Sequence, residues 1–240
     1  MAKLFIIGTP IGNLGDITFR AIETLKNVDY VAAEDTRHTL QLLSHFEIKK
    51  PMISCRAQNE KFVSEKIISL LNEGHDIAYA SDAGTPGVSD PGAVLVDHVR
   101  EAGFDIVPIP GPAAIATLVS VAGTGGKTLI FEGFLSPKAG KRKSRLTELM
   151  ETGNAVVIYE SPFRITKLLT DIADIDSERR IVVGRELTKL HEEITSGTAK
   201  ELLEDYSSRQ SIKGEFAVFI SGVKKIKNSD TSTDNIRVEG

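Results

Sequence analysis

Ser81-Asp82-Ala83-Gly84-Thr85-Pro86-Gly87-Val88-Ser89-Asp90-Pro91-Gly92 separates two apolar runs, Ile77-Ala78-Tyr79-Ala80 before it and Ala93-Val94-Leu95-Val96 after it. Six of the twelve residues are Gly, Ala or Pro, which excludes regular structure, because proline removes a backbone donor and glycine favours turns. The first run reads as a buried strand and the second as the start of a helix. The stretch is then a loop at the carboxyl end of a strand, where open α/β sheets bind ligands. Long ordered loops inside compact domains usually carry function.

The same alternation extends in both directions. Leu4–Ile7, Tyr30–Ala33, Met52-Ile53 and Ile106–Ile109 read as further strands. Ile17, Ala21, Ile22, Leu25 and Val28 share one helical face, with Asp16 as its expected cap. Thr36–Phe46 and a segment from Phe62 to near Gly74 also read as helices. This βαβ order predicts a mostly parallel sheet covered by helices. Pro108-Ile109-Pro110-Gly111-Pro112 stops both strands and helices and marks a boundary. An apolar helix, Ala113–Val121, follows. Strands are then expected at Leu129–Phe131, Ala155–Tyr159, Ile181–Val183, Glu193–Thr195 and Phe216–Ile220, and helices at Arg145–Glu151, Phe163–Ala173 and Ala199–Tyr206. The expected organisation is an α/β protein with two α/β domains: a parallel one over residues 1–112, a mixed one over 113–223, and a polar tail over 224–240.

Composition narrows the function classes. The 240 residues carry a formal net charge of −4, so attraction to a polyanion has to come from a local patch. One cysteine, Cys55, excludes an internal disulfide and a cysteine zinc cluster and fits a reducing compartment. No apolar run is long enough to be a signal peptide or a membrane span. The expectation is a cytosolic chain without membrane contact.

Several other segments sit at strand ends. Gly8-Thr9-Pro10-Ile11-Gly12-Asn13-Leu14-Gly15-Asp16 joins a strand to a helix, as a dinucleotide loop does, and Glu34 and Asp35 stand near the expected acidic position. Pro10 replaces the middle glycine, and the spacing differs, which argues against a nicotinamide site. Gly125-Gly126-Lys127-Thr128 resembles the end of a phosphate-binding loop, but Val121 stands where its first glycine belongs and a strand follows instead of a helix. Lys138, Lys141, Arg142, Lys143 and Arg145 put five cations in eight residues. Cations at a helix amino terminus oppose its dipole, and a bound polyanion offsets that cost. The plainer alternative is a solvated helix start. Glu34-Asp35-Thr36-Arg37-His38, Glu160-Ser161-Pro162-Phe163-Arg164 and Gly184-Arg185-Glu186-Leu187-Thr188-Lys189 each read as a strand end followed by a helix. No metal-ligand spacing occurs, so no metal is expected.

Taken in order, GTPIGNLGDIT, AAEDTRHTLQLLSHF, SDAGTPGVSDPG, PIPGPAA, FEGFL, YESPFR and GRELTKLHEE resemble the tetrapyrrole methylase superfamily, and within it the ribosomal RNA enzymes that 2′-O-methylate a cytidine of 16S rRNA. The resemblance spans residues 8 to 193. Two features depart from the pattern: Cys55-Arg56-Ala57-Gln58 stands where a histidine-rich stretch is common, and Phe163 replaces a histidine. The resemblance implies S-adenosylmethionine held in a cleft between two α/β domains, usually in a homodimer, and 16S rRNA in the small ribosomal subunit as partner. It places the cofactor against Pro10, against Ser81, Asp82, Ala83 and Pro86, and against Ala113 and Ala114. Tyr159, Glu160 and Leu187 close the site from the second domain.

Methyl transfer to a ribose hydroxyl needs in-line alignment and a base for the hydroxyl proton. Asp35, Glu160 and Lys189 are candidates by position at strand ends, and Lys189 needs a lowered pKa for that role. RNA contacts are expected from Arg37, His38, Lys138, Lys141, Arg142, Lys143, Arg145 and Arg164. Two other functions remain open: methylation of a corrinoid or porphyrin precursor, and a non-catalytic RNA-binding role in ribosome assembly.

Overall fold

Two five-stranded sheets, each covered by helices, form the protein in a computed structural model that describes residues 2–123 and 126–223. In the first sheet the order is β3-β2-β4-β1-β5, from β1 (Lys3–Ile7), β2 (Tyr30–Ala33), β3 (Met52–Ser54), β4 (Ile77–Ala80) and β5 (Asp105–Ile109). Every pairing in it is parallel. All four residues of β4 are buried, as a central strand covered on both faces requires. The connecting helices are α1 (Phe19–Asn27), α2 (Thr36–His45), α3 (Glu60–Asn72) and α4 (Ala93–Glu101).

Thr18, not Asp16, caps α1: its side chain accepts the Ala21 N–H. Asp16 belongs to a short 3-10 turn, Leu14–Asp16, ahead of the helix. Asp35 caps α2 by accepting the Arg37 N–H at 2.9 Å.

The second sheet has the order β6-β7-β10-β8-β9, from β6 (Leu129–Phe134), β7 (Ala155–Glu160), β8 (Arg180–Arg185), β9 (Glu193–Thr198) and β10 (Phe216–Ile220). Only β6 and β7 run parallel; the β7–β10, β10–β8 and β8–β9 pairs are antiparallel. Helix α5 (Ala114–Ala122) packs on β10 and β8, sharing a core of Leu118, Val157, Leu187 and Phe219. Helices α6 (Ala139–Glu151), α7 (Ile165–Ile175) and α8 (Ala199–Ser208) cover the other face with a larger apolar core. Thr198 and Glu201 close a reciprocal capping box on α8.

Two local expectations need correction. Helix α6 begins at Ala139, six residues before the expected start, so the basic run lies on the helix itself. No helix follows Gly184–Lys189: Glu186 and Thr188 adopt positive φ (50° and 68°) and turn the chain into β9. Gly125 and the tail 224–240 lie outside the described residues. Lys127 and Thr128 precede β6, a strand.

Candidate active site

The loops that leave β4, β1 and β5, three adjacent parallel strands, are tied together at their carboxyl ends. Thr9 and Gly84 exchange backbone hydrogen bonds, the Thr9 N–H donating at 2.8 Å and the Gly84 N–H at 3.1 Å. Thr85 Oγ1 donates to the Pro112 carbonyl at 3.2 Å. Gly8 and Gly111 cross so closely that a Cβ on Gly8 would lie 2.6 Å from the Gly111 nitrogen, and one on Gly111 2.5 Å from the Gly8 carbonyl oxygen. Only glycine fits either position. The loop after β2 joins the group where the Asp35 N–H donates to Asp82 Oδ1 at 2.9 Å.

The facing wall comes from the second sheet. Tyr159 Oη accepts the Ile115 N–H at 2.8 Å, fastening β7 to the first turn of α5. Its ring meets Phe131 and Phe134 edge-on, with centroids 5.0 and 5.8 Å away. Between the walls lies a cavity of about 380 Å³, within the size range of small-molecule sites.

Of the residues expected to hold a cofactor, Ala83, Ala113, Ala114, Tyr159, Glu160 and Leu187 line this cavity, and Lys189 joins them. Pro10, Ser81, Asp82 and Pro86 are not among its lining residues. Pro10 and Ser81 are buried, and Asp82 is engaged with the neighbouring loop. Pro86 packs toward Gly92. The cavity also takes in Asp90, Phe134 and Glu215, which the sequence reading did not single out. Asp90 was visible as the second acid of the quoted loop, but a loop sequence does not say where a side chain points.

Each of the three candidate bases has charged partners. Asp35 does not line the cavity and is clasped by Arg37, whose Nε and Nη2 donate to it at 3.1 and 2.6 Å. That side-chain bond and the Arg37 N–H hold the Asp35 carboxyl well below the usual range. Glu160 has a fully buried side chain; its two oxygens accept the Ser161 N–H and Arg164 Nη2, each at 2.7 Å. Lys189 donates to Glu186 and Glu215, each at 2.9 Å. Burial works to lower its pKa, but those two hydrogen bonds outweigh burial and the net shift is upward, opposite to what a neutral amine base requires.

Much of the basic run also has acidic partners. Arg142 is 5% exposed, and its Nε donates to Asp171 at 2.6 Å. Arg142, Leu146, Leu149 and Met150 form the buried face of α6, so the guanidinium is a core group locking α6 to α7. Lys143 pairs with Asp174, and Arg145 with Glu132 and Glu148. Arg164 bridges Glu160 and the Leu135 carbonyl. Lys138, Lys141 and His38 are exposed and have no ion pair among the described residues. No group of three or more potential metal ligands occurs among the described residues, and no described helix is long and apolar enough to cross a membrane.

The profile of the family described as Tetrapyrrole (Corrin/Porphyrin) Methylases matches residues 3–203. The chain is 45% identical to the ribosomal RNA small subunit methyltransferase I of Borrelia garinii subsp. bavariensis, over 91% of this chain and 98% of that protein. It is 43% identical to the protein of the same name from Thermotoga maritima, over 92% and 99%. Among solved structures, the methyltransferase CobJ superposes with a TM-score of 0.70 at 16% identity, covering 92% of this chain and 95% of that one. The cobalt precorrin-4 methyltransferase CbiF superposes with a TM-score of 0.68 at 18% identity, covering 91% and 94%. At those identities the two structures speak for the fold alone. Sequence and fold together place this chain in the tetrapyrrole methylase family, beside the ribosomal RNA small subunit methyltransferase I proteins.

Proposed function

We propose that the protein transfers a methyl group from S-adenosylmethionine to the 2′-hydroxyl of a cytidine in 16S rRNA of the small ribosomal subunit. The observation that carries this reading is the inter-sheet cavity, taken with near full-length similarity to ribosomal RNA methyltransferases.

The residues present fit the cofactor. Ala83, Gly84, Ala113 and Ala114 present small side chains and reachable backbone groups, which suits close approach by an adenosine and a methionine moiety. Tyr159 offers a hydroxyl hydrogen, since its oxygen already accepts from Ile115. Bound there, S-adenosylmethionine supplies an activated methyl on a sulfonium whose leaving group needs no acid. The chain's part is to align the attacking oxygen, exclude water and receive the hydroxyl proton. We assign the loop residues 81–92 and 110–114 to one side of the site and Tyr159, Glu160 and Leu187 to the other. The division falls between residues 1–112 and 113–223.

Exposed Lys138, Lys141 and His38 are the phosphate contacts this reading retains. Few aromatic side chains, 6% of the sequence, favour recognition of preformed RNA shape over stacking of free single strands. A homodimer in the cytosol completes the proposal.

The test supplies small subunits from a strain lacking the enzyme, adds labelled S-adenosylmethionine and digests the RNA to nucleosides. Label in 2′-O-methylcytidine supports the reading. Label only on a base atom, only on a tetrapyrrole, or nowhere defeats it.

A further inference from the structure

We propose that Asp90 is the general base, its carboxylate taking the proton of the substrate hydroxyl as the methyl is transferred. The inference rests on the methyltransferase reading above and names the residue that reading leaves open.

Four ionisable side chains other than tyrosine line the cavity: Asp90, Glu160, Lys189 and Glu215. Three are committed. Glu160 is consumed by Arg164 and the Ser161 N–H, and Lys189 and Glu215 are paired with each other. Asp90 alone of the four has no ion pair among the described residues. Its one side-chain hydrogen bond comes from the Ser81 hydroxyl, which leaves its charge uncompensated by any cation and the carboxylate able to accept a proton.

The loop is built to put Asp90 there. Ser89, directly before it, is held at φ 62°, a left-handed conformation that costs a non-glycine residue free energy and persists where the surroundings enforce it. A contact crosses between the sheets beside it: Ser89 Oγ occupies the space a Cβ would need on Gly133, in the irregular part of β6. Gly133 thus clears room for a loop from the first half of the chain, and Asp90 lines the cavity together with Tyr159.

The groups that face Asp90 fit the role. Burial raises its pKa; the Ser81 hydroxyl works the other way, and the charges of Asp82 and Glu215 add to the rise. Glu34, Tyr79 and Tyr159 also feel its charge. No cation contributes to the balance. A carboxylate shifted upward is a better base at neutral pH than an ordinary one.

In the step, the substrate oxygen forms its bond to the methyl carbon. The methyl–sulfur bond breaks with its electron pair left on sulfur. The hydroxyl proton passes to Asp90 and from there to water, so charge and atoms balance.

The experiment compares the native chain with Asp90→Asn and Asp90→Glu, using small subunits and labelled S-adenosylmethionine, with calorimetry of S-adenosylhomocysteine as the second readout. Asp90→Asn is expected to lower kcat about 100-fold or more, as loss of a general base does, with product affinity changed less than about threefold. In the native chain kcat rises with pH through a carboxylate raised above its ordinary range; in Asp90→Asn that limb disappears. Asp90→Glu retains the limb at reduced kcat. Undiminished turnover in Asp90→Asn, or an unchanged acidic limb, overturns the proposal. So does a loss of S-adenosylhomocysteine affinity that matches the loss of turnover, which would make Asp90 a cofactor anchor. If the native chain itself methylates no RNA, the parent reading fails, whatever the variants do.

Discussion

Glu60 on α3 caps α4 across 32 residues of sequence: its Oε1 accepts the Gly92 N–H at 3.0 Å and, from the same side, the Leu95 N–H at 2.9 Å. Gly92 itself offers no side chain, so the first turn of α4 has no cap of its own. A buried carboxylate from another helix fills that role, favoured by the positive end of the helix dipole. It also anchors the carboxyl end of the cofactor loop. Glu60→Ala leaves two buried donors unsatisfied and should cost about 1–3 kcal/mol, read in urea unfolding. It should also weaken S-adenosylhomocysteine binding, because the 81–92 loop loses its fixed end. A loss of stability with unaltered affinity would detach the loop from the cap.

The basic run divides into structural and surface cations. Arg142→Ala should destabilise the protein by about 3–5 kcal/mol, because it strands Asp171 as an unpaired charge in the core. Lys138→Glu with Lys141→Glu should leave stability nearly untouched, weaken binding to small-subunit RNA and reduce its salt dependence. Equal RNA affinity and salt slope in the double variant would make these lysines ordinary surface charges.

Ala83 and Pro86 lie three residues apart in one loop, yet only Ala83 faces the cavity. Ala83→Leu should reduce S-adenosylhomocysteine affinity by about tenfold or more, in line with the 1–3 kcal/mol typical of overfilling a packed site. Pro86→Ala should change it little. Calorimetry separates the two, and equal effects would mean that the cofactor lies differently in the cleft. NAD should bind neither variant nor the native chain.

Burial raises the pKa of Glu34, and the charge of nearby Asp82 adds to the rise. A carboxyl with a higher pKa folded than unfolded binds its proton better in the folded state. Its destabilising effect is absent below the unfolded pKa and complete above the folded one. Glu34→Gln should therefore raise Tm slightly at pH 8, the effect being damped by solvent around a partly exposed group, and leave it unchanged at pH 4. A gain of the same size at both pH values would exclude ionisation as its source.

What the sequence disclosed and what it hid follow one physical division. The strand Ile77–Ala80 and the loop after it were readable because both signals are local: an unbroken apolar run, then glycine and proline. The parallel order of the first half followed from its alternation of elements. The start of α6 was hidden because Arg142 occupies a core position on a face it shares with Leu146 and Leu149, and periodicity counts a cation as surface. Its partner, Asp171, is 29 residues away on α7, and no local pattern announces such a pair. The surroundings of the candidate bases were hidden for the same reason. Strand-end position put Glu160 and Lys189 at the site, but Arg164, Glu186 and Glu215 determine what is left for them to do. Asp90 carries no ion pair among the described residues, and no local pattern announces that either.

The crossing of Gly8 and Gly111 has a consequence for how this protein can vary. Each backbone occupies the volume into which the other's first side-chain atom would project. Shrinking one residue cannot make room for enlarging the other, since neither has anything left to lose. No compensating exchange exists, unlike a core where a larger side chain on one helix is matched by a smaller one opposite. In a library randomised at both positions and selected for folded protein, survivors should carry glycine at each. The two codons behave as a single unit, 103 residues apart along the chain and free to drift only in silence.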